Sequence, residues 1–292
     1  MRQLTHLVAV SVLGIVAAQL IGVGLARAQT QTCQFTVSAP TPIVSTITLS
    51  AQGIYCLVTD VSTDPSFTSG NAIEIANNNI VLDLNGHKVG GQAAGPATQA
   101  TGIYALQRNN VTIKNGTVKG FRNGVLLDDP TNTASHGYLV ENIRAEANTV
   151  RSIQVFGQGN VVRGNHVFGT GIGSGGGFSA IGITASGPEA RILDNDVIET
   201  VGAGGASAYG IFAGSASASV IEGNRVSNQT SPGTNGIFIS FSATDVLVVN
   251  NRILGWLTGV SLTGGSTAKC RDNLLANFTS FSNGCVDVAN NN

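Results

Sequence analysis

The chain has 292 residues, 42% of them hydrophobic and 11% charged, with 38 glycines and a formal net charge of −1. Soluble domains carry about 25% charged residues, and the near-neutral balance excludes the basic footprint of a nucleic-acid binder or a cationic membrane-surface module. Abundant Gly, Val, Ile, Asn, Ser and Thr disfavour helix and favour short strands joined by tight turns.

The chain opens like an export signal. Arg2 supplies a sparse positive start, Leu7 to Leu25 is mostly apolar, and Ala26-Arg27-Ala28 matches the small-x-small cleavage pattern before Gln29. Residues 1–28 are therefore expected to be a removed signal peptide, leaving no membrane span and a secreted or periplasmic mature chain. A retained anchor is the other reading; Gln19 and the adjoining cleavage motif oppose it.

Residues 29–70 are irregular, with Ile47-Thr48-Leu49 and Tyr55-Cys56-Leu57 as short strand candidates, and read as an N-terminal cap with lead-in strands. From residue 71 a repeat emerges. Its sharpest form is an apolar residue, an Asn three positions later and a second apolar residue two further on. This pattern places Asn165, Asn195, Asn224, Asn251 and Asn273 at separations of 30, 29, 27 and 22 residues. Self-similarity at such a period marks a solenoid.

A first-strand column aligns eight triplets beginning at Ile73, Ile103, Val125, Ile153, Ile181, Ile211, Ile237 and Val260. Their first and third residues are apolar and point inward, because strand side chains alternate faces. The middle residues point outward: Glu74, Tyr104, Leu126, Gln154, Gly182, Phe212, Phe238 and Ser261. A second inward column is Leu84, Ile113, Val140, Val162, Ile192, Ile221, Val248 and Cys270. A third, five residues on, is Val89, Val118, Ala145, Val167, Val197, Val226, Ile253 and Leu275. A period of two within each repeat excludes amphipathic helices.

The expected architecture is all-β: a β-solenoid of about eight turns over residues 71–268, with 269–292 as the last turn and C-terminal cap. Each turn holds three short strands, and each strand pairs with its equivalent one turn away, about 4.8 Å distant. The ladder Asn is expected at the bend before the third strand, in the left-handed conformation, its amide bonded to the next turn's amide. Gly116 takes that position earlier, consistent with the same conformational demand, while His87 and Ile143 break the pattern.

An even cysteine count in an exported protein points to disulfides, and four cysteines allow three connectivities that spacing alone leaves open. The two ends of a solenoid lie far apart, which favours Cys33 with Cys56 and Cys270 with Cys285. No Cys/His spacing suits zinc and no calcium-binding nonapeptide occurs, so no cofactor is implied and a calcium requirement has no motif behind it.

The stretch Asn79-Ile80-Val81-Leu82-Asp83-Leu84-Asn85-Gly86-His87-Lys88-Val89 resembles the opening turn of secreted right-handed parallel β-helix proteins of the pectate-lyase-like kind. Ile47-Thr48-Leu49-Ser50 to Tyr55-Cys56-Leu57 is similar to their lead-in, and the resemblance covers most of the mature chain. It implies a single-domain right-handed parallel β-helix. It further implies action on a polysaccharide, by a lyase, hydrolase or epimerase, at the outer first-strand face.

On that face the best-placed polar group is Tyr104 and Arg108 on one turn with Asp128, Asp129 and His136 on the next. Stacking is expected to bring Arg108 to the Asp pair, with the excursion from Asp128 to Gly137 folding His136 overhead. Asp128 or Asp129 would then serve as acid or base, assisted by His136 and Arg108. Asp128-Asp129 resembles the paired aspartates of pectin-cleaving hydrolases, whose Gly-His-Gly and Arg-x-Lys elements are absent here. The bland alternative is a loop tied down by an Arg–Asp pair and an Asp-Pro turn. Glu74, Gln154 and the aromatics Tyr104, Phe156, Phe212 and Phe238 are candidate sugar contacts; the rings, with Phe241, form either a stacking platform or a satellite core. The stripe Lys88, Thr117, Arg144, His166, Asp196, Arg225 and Arg252, beside Lys114, Glu141 and Arg163, reads as a solvated ladder rather than a catalytic His–Asp pair.

The functional expectation is an exported monomer that binds an extended polysaccharide or envelope glycan along the first-strand face and, in its sharper form, cleaves it. The alternative is a non-catalytic module of the cell envelope.

Overall fold

Alternating apolar columns close into a stacked coil. The structure, a computed structural model, describes residues 32–39, 41–171, 177–229 and 233–289; the expected signal peptide lies outside the described residues. Ten first strands, from Ile47–Leu49 to Ser280–Asn283, form one sheet in chain order. A second sheet of 18 strands holds the second and third strands of each turn, fused into one strand at Val111–Lys119 and again at Leu139–Glu146. Neighbouring turns pair in parallel, as at Ile153↔Ile183 and Val167↔Val197. Among the described residues the only helical elements are two short 3-10 turns, Gln92–Ala94 and Ala203–Gly205. None of those residues forms a helix long and apolar enough to cross a membrane.

The interior is an aliphatic stack. Ile73, Ile103, Val125, Ile153, Ile183, Ile211 and Ile237 are completely buried one above another. Two rows differ from the sequence expectation. In the fifth turn Ile183-Thr184-Ala185, not Ile181-Gly182-Ile183, occupies the column, since Ile183 pairs with Ile153 and Ile211. The reason is steric: a Cβ on Gly182 would stand 2.5 Å from Val197 Cγ1, so this residue faces inward and Thr184 takes the outward place. In the first aligned turn Leu82, not Leu84, pairs with Ile113. The left-handed residues Asn85 and Gly86, at φ 49° and 82°, lengthen that corner and shift Leu84 inward.

The glycines lining this interior set how closely the sheets approach. A Cβ on Gly210 would meet Val226 Cγ1 at 2.2 Å and Gly236 O at 2.7 Å. Gly210→Ala is expected to cost about 1–3 kcal/mol through overpacking, read as a lower denaturation midpoint; an unchanged midpoint would show that the sheets can separate there.

The ladder asparagines point inward and are buried at 0–2% exposure. Asn195 Nδ2 donates to Asn224 Oδ1 at 3.0 Å and to Val162 O at 2.9 Å, and its backbone N donates to the same Asn224 oxygen at 2.9 Å. Asn165, Asn224 and Asn251 repeat the scheme, and Asn165 Oδ1 takes the backbone N–H of Ile143 as the ladder's first rung. The expected left-handed conformation falls one residue earlier. Asn115, Asn142, Gly164, Asp194, Gly223, Asn250 and Asp272 all have φ between 53° and 69°. Gly116 is therefore not conformationally required; it is a packing requirement, because a Cβ would stand 2.3 Å from Leu84 Cβ and 2.6 Å from His87 O.

The disulfides join Cys33 to Cys56 and Cys270 to Cys285, spanning 23 and 15 residues. Each fastens an end of the stack to its neighbouring turn: Phe35–Val37 pairs with Gly53–Leu57, and Cys285–Ala289 with Ala268–Arg271.

Candidate functional site

Two polar groups stand on the outer face of the first-strand sheet. The first is built by the excursion after the strand Asn123–Asp128. Asp129, completely buried, is its organiser. One carboxylate oxygen accepts Thr131 N at 3.1 Å and Thr131 Oγ1 at 2.7 Å; the other accepts Ala134 N and Ser135 N, both at 2.8 Å, and Ser135 Oγ at 3.0 Å. Burial by itself would raise this carboxyl, but the Thr131 and Ser135 hydrogen bonds override it and hold its pKa at about 2. A group so engaged stays ionised near neutrality and has no free face for a substrate.

Asp128 faces the other way, in both senses. It is half-buried, and burial together with the negative charge of Asp129 raises its pKa. Its strand register sets it opposite Leu106, while Glu74 lies opposite Tyr104. The Tyr104 phenol is raised by burial and then by the charges of Asp128 and Glu74, so these three groups share one electrostatic neighbourhood.

Arg108 reaches this neighbourhood, its positive charge countering the two carboxylates at the Tyr104 phenol, but neither it nor His136 is paired with an aspartate. Among the described residues no ion pair joins Arg108 to either aspartate; its backbone N–H donates to the buried Tyr138 hydroxyl at 2.8 Å, and its Nε is buried without a partner. His136 is exposed at the corner leading to the second strand, where its backbone bridges Asn109 and Gln158. Its N–H donates to Asn109 Oδ1 at 3.0 Å, and no described hydrogen bond or ion pair links its ring to the aspartates. The excursion carries a different residue over the face: Asn132, whose backbone N–H donates to Asp129 O at 3.0 Å.

The second group is a cleft of about 370 Å³ over the next turns. Its lining includes Asn132 from the excursion, Arg151, Gln154 and Phe156 from one strand, and Thr184 and Ser186 from the next. Tyr209, Phe212 and Phe241 close it. The rings form a connected stack: Tyr209 lies against Phe238 at 4.9 Å between centroids, Phe238 against Phe212 at 5.4 Å, and Phe212 against Phe241 at 5.9 Å. Phe241 is 64% exposed, so the stack is an open platform at this end rather than a covered satellite core. Of the candidate sugar contacts, Gln154, Phe156 and Phe212 line this cleft and Phe238 supports its wall; Glu74 and Tyr104 lie with Asp128 in the preceding turns.

Arg151 is the cleft residue that the triplet alignment misses. Three polar lining atoms are buried without a partner: Arg151 Nε, Thr184 Oγ1 and Asn132 Oδ1. Burial, and then the charge of Arg122, lower the Arg151 pKa. Arg122 lies over the Phe178 ring at 4.7 Å. Arg151, Ile181 and Tyr209 pair across successive turns two residues before the column's first apolar position. Extending the alignment by that step would have found them.

The charged stripe on the opposite sheet is the expected ladder. Asp196 accepts Arg225 Nε at 2.7 Å and lies 3.2 Å from His166 Nδ1, while Glu141 accepts Arg163 Nε at 2.8 Å. These pairs are solvent-facing and each contributes on the order of 0.2–1 kcal/mol. Among the described residues no group of three or more His, Cys, Asp or Glu could hold a metal ion.

The family model described as a right-handed beta helix region matches residues 101–292. No curated protein matches the chain. The enzymatically active domain of tailspike protein 2 from bacteriophage CBA120 superposes with a TM-score of 0.52 at 17% identity, over 83% of this chain and 42% of that one. Pectate lyase Pel9A superposes at 0.49 with 14% identity, over 89% of this chain and 69% of its own. The A-module of the mannuronan C-5 epimerase of Azotobacter vinelandii gives 0.45 and 11%, over 84% and 79%. The chain thus spans less than half of the tailspike chain, and at such identities the likeness is one of fold. With well over half of its residues matched and its strands stacked turn on turn in parallel, the chain belongs to the right-handed β-helix family.

Proposed function

We propose that the outer face of the first-strand sheet binds an extended glycan, and that the protein acts as an exported, monomeric carbohydrate-binding β-helix. The cleft carries this reading. Sugar rings present apolar CH faces and polar edges, and the Tyr209–Phe212–Phe241 wall beside Arg151, Gln154 and Thr184 offers a partner for each. Polysaccharide-acting proteins, among them the pectate lyase and the mannuronan epimerase named above, share the fold in outline, which agrees with the reading without supplying its chemistry. The two disulfides fit folding in an oxidising compartment.

Phe212→Ala is the direct test. It removes the central ring of the stack, and on a glycan array it is expected to lower the affinity of whichever oligosaccharide the wild type binds by roughly tenfold or more. Undiminished binding would move the site elsewhere.

Asp128 favours a second reading, cleavage. A carboxyl raised by burial and by a neighbouring carboxylate has the property of a general acid. Asp128→Asn is then expected to reduce turnover of the bound glycan by roughly a hundredfold or more, followed by release of reducing ends or unsaturated products. Equal turnover in the variant removes Asp128 from the chemistry, and binding without turnover in the wild type leaves a non-catalytic envelope module.

A further inference from the structure

We infer that the cleft recognises a glycan bearing an isolated oxyanion substituent, a carboxylate, phosphate or sulfate group on an otherwise neutral run of sugars, seated at Arg151 with Arg122 beside it. This rests on the reading that the first-strand face binds glycan. It goes further in naming the charge pattern that the glycan must carry.

Three observations carry it. First, Arg151 and Arg122 are close enough for their charges to act on each other, and no carboxylate among the described residues forms an ion pair with either. Arg151 N donates to Arg122 O at 3.0 Å, which sets the two arginines side by side on successive turns, and like charges so placed, one with a buried and unpartnered Nε, are unfavourable without an anion between them. Arginine is also the side chain best shaped for oxyanions, with parallel N–H donors that match two oxygens.

Second, the other polar atoms in reach are arranged for a substituent rather than for a bare ion. Thr184 Oγ1 and Asn132 Oδ1, both buried and unpartnered, line the same cleft, one a hydroxyl and the other an acceptor suited to a sugar hydroxyl. The ring wall of Tyr209, Phe212 and Phe241 stands on the far side, where a sugar ring would stack.

Third, the charge on the face is segmented. The turns before Arg151 present Glu74 and Asp128, with Arg108 near Tyr104, and burial and Asp129 already oppose ionisation of Asp128. The turns after them present Thr184, Phe212, Phe238 and Ser261, which carry no charge. A polymer charged at every residue would lay carboxylates against Glu74 and Asp128 on one side and against uncharged rings on the other. A chain with one anionic group finds a cationic seat in the cleft at Arg151, with neutral surface beyond it.

The test uses the mature protein on a defined array. It holds neutral oligosaccharides, the same backbones bearing one uronate, one phosphate or one sulfate, and oligogalacturonates charged at every residue. The wild type is expected to prefer at least one singly charged glycan over its neutral parent by roughly tenfold or more, and which substituent wins identifies the oxyanion. Arg151→Gln is expected to erase that preference, weakening the charged glycan at least tenfold more than its neutral parent. Its thermal midpoint should be equal or higher, because it removes an unpaired, partly buried charge. Should that variant fail to fold, Arg122→Gln tests the same preference. Equal binding of charged and neutral glycans, or a preference kept in the variant, overturns the inference and leaves a charge-blind glycan groove. Tighter binding of oligogalacturonates overturns the isolated-charge pattern. Binding of no glycan overturns the underlying reading together with this one.

Discussion

Asn224→Ala is expected to destabilise the protein by about 3–5 kcal/mol, far more than its size suggests, because the loss is counted in stranded partners. The Asn224 oxygen accepts the backbone N–H and the side-chain amide of Asn195, and its own amide donates to Asn251 Oδ1 and to Ile192 O. All of these side chains are buried, and an unmade buried hydrogen bond costs about 1–3 kcal/mol. Asn224→Asp separates this cause from simple volume. The aspartate has the same shape, yet its second oxygen would face Asn251 Oδ1 and Ile192 O, both acceptors. It is expected to be at least as destabilising as alanine near neutral pH. Equilibrium denaturation, with hydrogen exchange at Asn195 and Asn224, reads both effects; repeat arrays can unfold in parts, so the local measurement is decisive. A loss under about 1 kcal/mol for alanine, or an aspartate variant as stable as wild type, would show that the ladder is not a structural necessity.

Adjacent aspartates are expected to answer acid and mutation with opposite signs. Asp129 is held at about 2 against an ordinary value of 3.8, so its contribution is fully present above about pH 4 and is lost as pH falls toward 2. A shift of that size corresponds to roughly 2–3 kcal/mol. Asp129→Asn turns an amide toward donors on one side or the other and is expected to cost about 2–4 kcal/mol at neutral pH. Much of that penalty should disappear near pH 2, where the wild type has lost the same carboxylate. It should also weaken glycan binding, since Asn132 loses the loop that delivers it. Asp128 has the raised pKa, so its ionised form opposes folding at neutral pH and is relieved as acid is added. Asp128→Asn is expected to leave stability unchanged or slightly improved. Thermal midpoints of both variants between pH 2 and 7 test the pair; parallel profiles would refute the division of roles.

The architecture was legible because each turn repeats its apolar columns and the interior tolerates nothing else. Register was less legible. Ile181 and Leu84 are apolar and sit near the expected spacing, but the glycine at 182 and the lengthened corner at Asn85-Gly86 shift the true column to Ile183 and Leu82. In the Asn motif the left-handed member is the residue before the ladder Asn, not the Asn itself. The residue before each ladder Asn is Gly, Asp or Asn, the types that tolerate positive φ, and that pairing was visible in the sequence.

The site was harder for a different reason. Asp128 and Asp129 are neighbours in sequence, so composition cannot divide them; only the fold of the excursion turns one inward to hold a loop and leaves the other at the face. Arg151 carries no motif at all. Its interest comes from Arg122 one turn away and from missing ion-pair partners, both consequences of stacking.

Each ladder turn passes on the same socket that it receives: an acceptor for the turn before and donors for the turn after. A duplicated turn spliced in at this end would need little from its neighbours beyond its own Asn and apolar columns. The earlier turns have no such interchangeable joint, because Leu84 closes against Gly116 and leaves no space for another side chain. Lengthening by duplication is thus confined to the half that carries the rings, where added turns would extend the neutral part of the face. Asp128 and Arg151 would stay as they are, so descendants of this chain could vary in reach while keeping one fixed chemical end.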